Sequence, residues 1–201
     1  EEHEFCDAVL HVWYPGCEGG RAVADVLFGD VSPSGRLPVT VPRRTADLPP
    51  FDDYAMRGRT YRFADVEPLY PFGFGLGYAK IGYSGLRLDR ASVARGQALA
   101  ATVTVTNASD RATDETVQCY LVPPRDQPDT PHATLIAFRK ISVPARASIE
   151  VSLPLPSYGL LQVNHAGEPV RRPGRQNVIV GSASAGARAI ALRASAPTTN
   201  D

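Results

Sequence analysis

The sequence predicts a mostly β protein: an antiparallel β-sandwich preceded by the tail of an α/β domain. Three observations within its 201 residues support this prediction. Residues 8–41 pass from a strand-like run through a helical pattern to a second strand-like run. Residues 43–78 are rich in aromatic rings, proline and glycine and show little helical periodicity. From residue 81 onward, short alternating segments follow one another with turn residues between them.

The first part of the chain has the order of a β-α-β unit. Residues 8–13 and 37–41 are predicted strands, and the helical pattern between them ends at Gly29, a residue type common just beyond a helix C-terminus. The apolar face of this helix holds Val23, Val26 and Leu27. An open α/β sheet needs several such units to cover both of its faces. Residues 1–42 are therefore interpreted as the C-terminal end of an α/β sandwich domain whose body lies upstream.

Residues 43–78 are predicted to connect the two parts as an ordered segment. Their aromatic residues are Phe51, Tyr54, Tyr61, Phe63, Tyr70, Phe72, Phe74 and Tyr78. A flexible linker would expose these rings to water, so we expect the segment to pack against a neighbour.

Residues 79–196 are predicted to form the β-sandwich, of the immunoglobulin or fibronectin type III kind. About seven short strands without a helical stretch are typical of that architecture. Two of the predicted strands place their apolar side chains on one face: Leu99, Ala101, Val103 and Val105 in the first, and Val117, Cys119 and Leu121 in the second. Residues 189–192 form the last predicted strand, and residues 197–201 are interpreted as a frayed tail.

The cysteines and histidines indicate neither a disulfide framework nor a metal site. The three cysteines, Cys6, Cys17 and Cys119, are odd in number and lack the spacing of metal ligands. Cys119 is predicted to be a small buried apolar residue. The histidines are scattered, at His3, His11, His132 and His165. Nothing in the sequence requires a metal or an organic cofactor.

Charge and hydropathy favour neither nucleic acid nor membrane as a partner. Lys and Arg total 21, and Asp and Glu also total 21, so the chain has no net basic field that would attract a polyanion. No apolar run approaches the roughly 20 residues of a membrane-spanning helix.

Five sequence motifs point to a known family. They occupy residues 13–30, 33–40, 58–63, 67–78 and 114–118. In this order they resemble the C-terminal portion of glycoside hydrolase family 3, the β-glucosidase and β-xylosidase group. The resemblance implies a TIM-like barrel, an α/β sandwich domain and a fibronectin type III-like domain. This chain would hold the end of the second and the whole of the third.

The resemblance also implies an activity and a partner. Members are retaining exo-acting glycosidases that hydrolyse terminal non-reducing β-D-glycosyl residues with two carboxyl groups. The nucleophilic Asp and the acid/base Glu are expected on upstream sequence, so this chain alone is expected to be inactive, with no catalytic residue of its own. Its partner would be the upstream barrel and α/β domain, in the same polypeptide or a separate chain. The substrate of the whole enzyme would be an oligo- or aryl-glycoside.

The best candidate for substrate contact is the segment around Tyr54, Arg57 and Arg59. Arginines beside tyrosines can bond sugar hydroxyls and stack on a pyranose ring. The alternative is an interdomain clamp, in which Arg57 or Arg59 pairs with Asp52 or Asp53. The sequence does not decide between them.

Two other patterns favour structural roles. Glu18 begins the predicted helix, where a carboxylate interacts favourably with the helix dipole; a supporting role beside a catalytic cleft is the alternative. Residues 73–77 imitate a dinucleotide-binding glycine pattern but lack its spacing and its following helix.

A free-standing carbohydrate-binding or structural β-sandwich module is the alternative to the enzyme fragment. Such a binding module would expose aromatic rings on one face or one loop cluster. The predicted sandwich has few such residues: Tyr83, Tyr120, Phe138 and Tyr158.

Overall fold

The computed structural model describes residues 5–90, 97–124, 130–164, 166–170, 174–184 and 191–198. Its α-helices are α1 (Gly19–Leu27) and α2 (Thr60–Phe63), and its 3-10 helices are Thr45–Asp47 and Ser157–Leu160. The strands are β1 (Ile81–Leu88), β2 (Leu99–Asn107), β3 (Thr113–Val122), β4 (Thr134–Val143), β5 (Ser148–Leu155), β6 (Gln162–Val163), β7 (Pro169–Val170), β8 (Gly174–Gly181) and β9 (Ala191–Thr198). Among the described residues, no helix is long and apolar enough to cross a membrane.

The strands form the predicted antiparallel sandwich. One sheet has the order β1-β2-β5 and the other the order β4-β3-β8-β9, while β6 and β7 make a short separate hairpin. Every paired strand runs antiparallel to its neighbour. Side chains from both sheets meet in one apolar core, which is the arrangement of a fibronectin type III-like domain.

The core confirms the alternation read from the sequence. In β2 the residues Leu99, Ala101, Val103 and Val105 are each at most 2% exposed. In β3 the residue Cys119 is fully buried, and burial raises the pKa of its thiol to about 12. Cys119 therefore acts as a small apolar side chain, as predicted. Cys6 and Cys17 are exposed, and all three thiols are free.

The helix α1 is confirmed, but the two strands predicted around it are not. Residues 8–13 form no strand, because no neighbouring strand in the described part of the chain pairs with them. Residues 37–41 form no strand; their backbone bonds to residues 69–74 include Leu37 N–H to the Phe74 oxygen at 2.8 Å and Val41 N–H to the Tyr70 oxygen at 2.9 Å. Gly29 ends α1 in the left-handed conformation, with φ of +82°, as the sequence predicts.

The segment 43–78 packs through some of its aromatic rings and exposes others. Tyr61 stacks on Phe72 with ring centroids 4.7 Å apart, and its ring also meets that of Tyr120. Both Tyr61 and Phe72 pack against a small buried cluster outside the main core, formed by Tyr120, Ala133 and Ile179. The expectation that the rings are hidden is wrong for Phe51, Tyr54 and Tyr78, which are 96%, 88% and 49% exposed. Phe51 and Tyr54 lie in the stretch 50–57, whose residues are all exposed.

The end of the chain differs from the sequence prediction. Strand β9 extends to Thr198 and so includes the first two residues of the predicted tail, because residues 191–198 pair with β8 along its length. Residues 199–201, residues 189–190 of the last predicted strand, His3 and His165 lie outside the described residues.

Candidate functional site

The candidate loop, residues 50–59, is organised around the guanidinium group of Arg59. This group donates to the backbone oxygens of Pro50 at 3.1 Å and Ala55 at 3.0 Å, and also to that of Asp53. The carboxylate of Asp53 accepts the N–H of Ala55 at 2.8 Å, which closes an Asx turn. A planar donor with five N–H groups suits this task, because it bonds several carbonyls in one place.

The structure brings Tyr54, Arg57 and Arg59 onto this one loop but gives them different environments. Tyr54 is 88% exposed, and Arg57 is exposed. Arg59 is half-buried and is engaged with the loop carbonyls. The group in Asp53 that Arg59 bonds is the backbone oxygen and not the carboxylate. The loop can present an aromatic ring and a cation on a braced backbone.

A second site joins the segment 32–41 to the sandwich through a buried ion pair. The Nη2 of Arg36 lies 2.5 Å from Oε2 of Glu115 in β3, and the Tyr83 hydroxyl in β1 donates to Oε1 of Glu115 at 2.6 Å. Glu115 is 2% exposed. We call Arg36, Tyr83 and Glu115 the Arg36 cluster.

Burial dominates the electrostatics of the Arg36 cluster. Burial raises the pKa of Glu115, although Arg36 and the Tyr83 hydroxyl act in the opposite direction. Burial, followed by the charge and the hydrogen bond of Glu115, also raises the pKa of Tyr83, so the phenol stays protonated and donates. The cluster holds a carboxyl group inside the protein with a cation and a hydroxyl as partners.

The Arg36 cluster does not have the arrangement of a glycosidase active site. A retaining glycosidase needs two carboxyl groups about 5–5.5 Å apart across the scissile bond. Asp114, the neighbouring carboxyl group, lies next to Glu115 in the strand and so points to the other face, where it bonds Ser142 and Lys140. The cleft beside the cluster has a volume of about 140 Å³, below the roughly 300 Å³ at which ligand pockets begin. The cluster is structural.

The sequence did not predict the Arg36 cluster, although two of its three residues lie in the family motifs. Arg36 belongs to residues 33–40 and Glu115 to residues 114–118. A charged residue in a motif carries no sign of its partner when 79 positions separate the two. The available signal was Glu115 itself, which falls on the same predicted inward face as Val117 and Cys119. A carboxylate buried there needs a charged or hydrogen-bonding partner.

The glycines of residues 73–77 also have a structural role. Gly73 has φ of +80°, and a Cβ there would overlap the side-chain amide of Gln118. That amide donates to the oxygens of Gly73 at 3.2 Å and Ser182 at 2.6 Å, and its oxygen accepts the Tyr120 hydroxyl at 2.5 Å. Close approach of the segment to β3 therefore explains a pattern that imitates a nucleotide site.

Glu18 occupies the N-cap position of α1, but its side chain makes no capping hydrogen bond. Its carboxylate is exposed, and its backbone oxygen accepts the N–H of Ala22 at 2.9 Å. In the described part of the chain, the Glu18 side chain therefore interacts with the helix only through the favourable field of the helix dipole.

Comparison with known proteins places the chain in a family. Residues 1–78 match the glycosyl hydrolase family 3 C-terminal domain, and residues 115–184 match a fibronectin type III-like domain. A xylan 1,4-β-xylosidase of Xylanibacter ruminicola is 37% identical over 91% of this chain and 21% of its own length. A periplasmic β-glucosidase of Salmonella typhimurium is 34% identical over 92% of this chain and 26% of its own length.

Solved structures agree with these relatives. A β-glucosidase from Listeria innocua in complex with glucose matches 99% of this chain with a TM-score of 0.81 and 30% identity. The match covers 29% of that protein, so the chain spans between a fifth and a third of the length of the proteins it resembles. The two domain matches follow the family's order, and these relatives match about nine-tenths of the chain. The chain therefore belongs to glycoside hydrolase family 3 and corresponds to the C-terminal portion of its members, with the end of the α/β sandwich domain and the fibronectin type III-like domain.

Proposed function

We propose that this chain is the C-terminal part of a retaining, exo-acting β-glycosidase that hydrolyses terminal non-reducing β-D-glycosyl residues. In this proposal the chain is structural: it completes the fold and does not supply the catalytic carboxyl groups, so it is inactive alone. The observation that supports this role best is the Arg36 cluster. It joins the segment 32–41 to the sandwich through a buried pair of opposite charges that bond each other.

The proposed partner is the upstream barrel and α/β domain, in the same polypeptide or as a separate chain. Large apolar side chains near the start of the chain favour a covering partner: Phe5 is 86% exposed, Tyr14 100% and Phe28 85%. Exposed rings in this number mark an interaction surface on a soluble protein. We expect the upstream polypeptide to cover them, since it would contact residues 5–14 and α1 directly.

The test is hydrolysis of a panel of aryl β-glycosides by this chain alone, by the upstream polypeptide alone and by the two joined. We expect turnover only where the upstream polypeptide is present, with higher thermal stability when both parts are present. Turnover by this chain alone that survives repurification would overturn the proposal. Glu18 would then be the first residue to replace, because it is an exposed carboxylate beside the surface assigned to the upstream partner.

For the loop 50–59, we propose that Tyr54 and Arg57 contact the leaving-group part of the substrate and that Arg59 shapes the loop. The high exposure of Tyr54 and the bracing of the backbone by Arg59 support this division. Arg57→Ala in the joined enzyme should change the relative kcat/KM for different aglycones. A change in thermal stability alone would favour the interdomain clamp instead.

The alternative of a free-standing sugar-binding module has one supporting observation. Phe138 and Tyr158 are 67% and 75% exposed, although Tyr83 and Tyr120 are buried in the sandwich. Affinity electrophoresis of this chain on soluble β-glucans separates the two proposals, because a binding module is retarded by the polysaccharide and a structural part is not. A Phe138→Ala variant that abolishes any retardation would assign binding to the sandwich.

A further inference from the structure

We infer that Tyr61 is a positioning residue through which the β-sandwich sets the orientation of the loop 50–59. This inference rests on the proposed function for its consequence in catalysis, but its structural content stands on contacts within this chain. Tyr61 lies two residues beyond Arg59, the residue that holds the loop together, and both belong to the turn that forms α2. The loop, α2 and the sandwich are thus consecutive parts of one connection.

The side chain of Tyr61 is fixed to the sandwich at its ring and at its hydroxyl. The ring lies edge-on to that of the fully buried Tyr120 in β3, with centroids 5.7 Å apart, and it also stacks on the ring of Phe72. The hydroxyl accepts the N–H of Leu135 in β4 at 3.1 Å. A ring held by two aromatic neighbours and one hydrogen bond has little freedom to change rotamer.

The backbone around Tyr61 is fixed as well. The N–H of Tyr61 donates to the Thr40 hydroxyl at 2.9 Å, and the carbonyl of Arg62 accepts the N–H of His132 at 2.6 Å. These bonds connect α2 with the segment 32–41 on one side and with the chain entering β4 on the other. The position of α2 is therefore determined by parts of the protein that lie outside the loop.

The junction between loop and helix shows that this position is imposed. Thr60 has φ of +58°, a conformation that a β-branched residue rarely adopts and that persists only where neighbouring contacts require it. The N–H of Phe63 donates to the Arg59 oxygen at 3.2 Å and that of Ala64 to the Thr60 oxygen at 2.9 Å, so the turn is closed around the strained residue. A change in the Tyr61 anchor would therefore be transmitted to Arg59 and the carbonyls that it holds.

The test uses Tyr61→Phe in this chain joined to the upstream polypeptide, because the variant keeps the ring and removes only the acceptor for Leu135. Loss of one hydrogen bond should raise hydrogen exchange at the amide of Leu135 and in the loop by roughly 3- to 10-fold. KM for substrates with a large aglycone should rise, with kcat for small aryl glycosides unchanged. Tyr158→Phe is the matched control for exchange, since that hydroxyl belongs to a 75% exposed side chain, and it should leave exchange at Leu135 and in the loop unchanged.

The exchange measurement separates this inference from the proposed function. Faster exchange in the loop with higher KM supports both. Faster exchange in the loop with unchanged KM, and no effect of Arg57→Ala on aglycone preference, supports the positioning role and overturns the substrate role of the loop. Unchanged exchange at residues 50–59 in Tyr61→Phe overturns the positioning role whatever the kinetics show.

Discussion

Arg36 and Glu115, 79 residues apart in the chain, form a buried ion pair with a nitrogen–oxygen distance of 2.5 Å. Their side chains are 12% and 3% exposed. A pair buried to this degree contributes little net stability compared with apolar residues, but removal of one partner leaves an uncompensated charge in the interior. We therefore expect the pair to contribute more to the specificity of packing between the segment 32–41 and the sandwich than to net stability.

Removing the cation should be costly. We expect Arg36→Met to lower the free energy of unfolding by about 3–5 kcal/mol, because Glu115 then loses its charged partner. Urea denaturation measures this change. The control is Arg87→Met, which breaks the ion pair with Glu150, where both side chains are 58% exposed, and should cost at most about 1 kcal/mol. Equal effects of the two substitutions would show that the buried pair is not energetically distinct.

Tyr83 supplies the second hydrogen bond to Glu115. Tyr83→Phe preserves the ring in the core and removes the hydroxyl that lies 2.6 Å from the carboxylate. We expect a loss of about 1.5–3 kcal/mol, the usual range for a hydrogen bond to a charged group. Denaturation of Tyr158→Phe, an exposed position, should give a value within about 0.5 kcal/mol of the native chain. A neutral Tyr83→Phe would contradict the role assigned to the hydroxyl.

Gly73 is required by its backbone conformation and by the nearby amide of Gln118. Gly73→Ala should lower the free energy of unfolding by at least about 1–2 kcal/mol for the left-handed conformation, and the displaced amide adds to that cost. The same substitution at Gly20, in the first turn of α1, should be stabilising by up to about 1 kcal/mol, since a Cβ there meets nothing within 4 Å. Thermal denaturation of the two variants should shift in opposite directions.

Acid should destabilise the fold through Asp114. The hydrogen bond from the Ser142 hydroxyl, with a smaller contribution from Lys140, lowers the pKa of Asp114 against the opposing effect of burial. A lowered folded pKa means that the stabilisation is present above the unfolded pKa, about 3.9, and is lost as the pH falls through the folded value. Asp114→Asn should therefore lose less unfolding free energy than the native chain as the pH falls below about 4. Ser142→Ala should also lose less, because it removes the hydrogen bond that lowers the pKa of Asp114.

Glu115 should have the opposite pH dependence, because burial raises its pKa. Its contribution to stability is full below the unfolded pKa and is lost as the pH rises through the folded value. As the pH is raised, the unfolding free energy of the native chain should therefore fall relative to that of Glu115→Gln. Equilibrium unfolding measured across the acid range checks both carboxyl groups. If the unfolding free energy of the native chain, relative to each variant, changed with pH in the same direction for Asp114→Asn and Glu115→Gln, the assigned pKa shifts would be contradicted.

The strands of the sandwich were predictable because local patterns determine them. Alternating apolar residues specify which face of a strand is buried, as Leu99 to Val105 show, and a one-residue register error would expose the whole set. The helix α1 was predictable for the same kind of reason, since its glycine at position 29 stands where a left-handed residue ends a helix. Residues 8–13 were wrongly predicted as a strand. A strand forms only when a second strand pairs with it, and the local sequence pattern does not show whether such a neighbour is present.

The loop 50–59 was recognisable as a candidate from its residue types, but the roles of its arginines were not. The sequence placed Tyr54, Arg57 and Arg59 together; only the fold turned the guanidinium of Arg59 toward three carbonyls of its own loop. Similarly, Tyr61 was one of eight aromatic residues, and its contacts with Tyr120 and Leu135 depend on strands that come more than fifty positions later.

By itself, the sequence determined the β-sandwich, α1, the burial of Cys119 and the membership in the family, because each depends on local periodicity, capping residues or motif order. The tertiary structure alone decided that Arg36, Tyr83 and Glu115 meet, that Gly73 admits Gln118 and that Tyr61 ties the loop to the sandwich. The physical reason is sequence separation: a buried charge or a close backbone approach is satisfied by whichever residue the folded chain brings there, and that residue has no local signature.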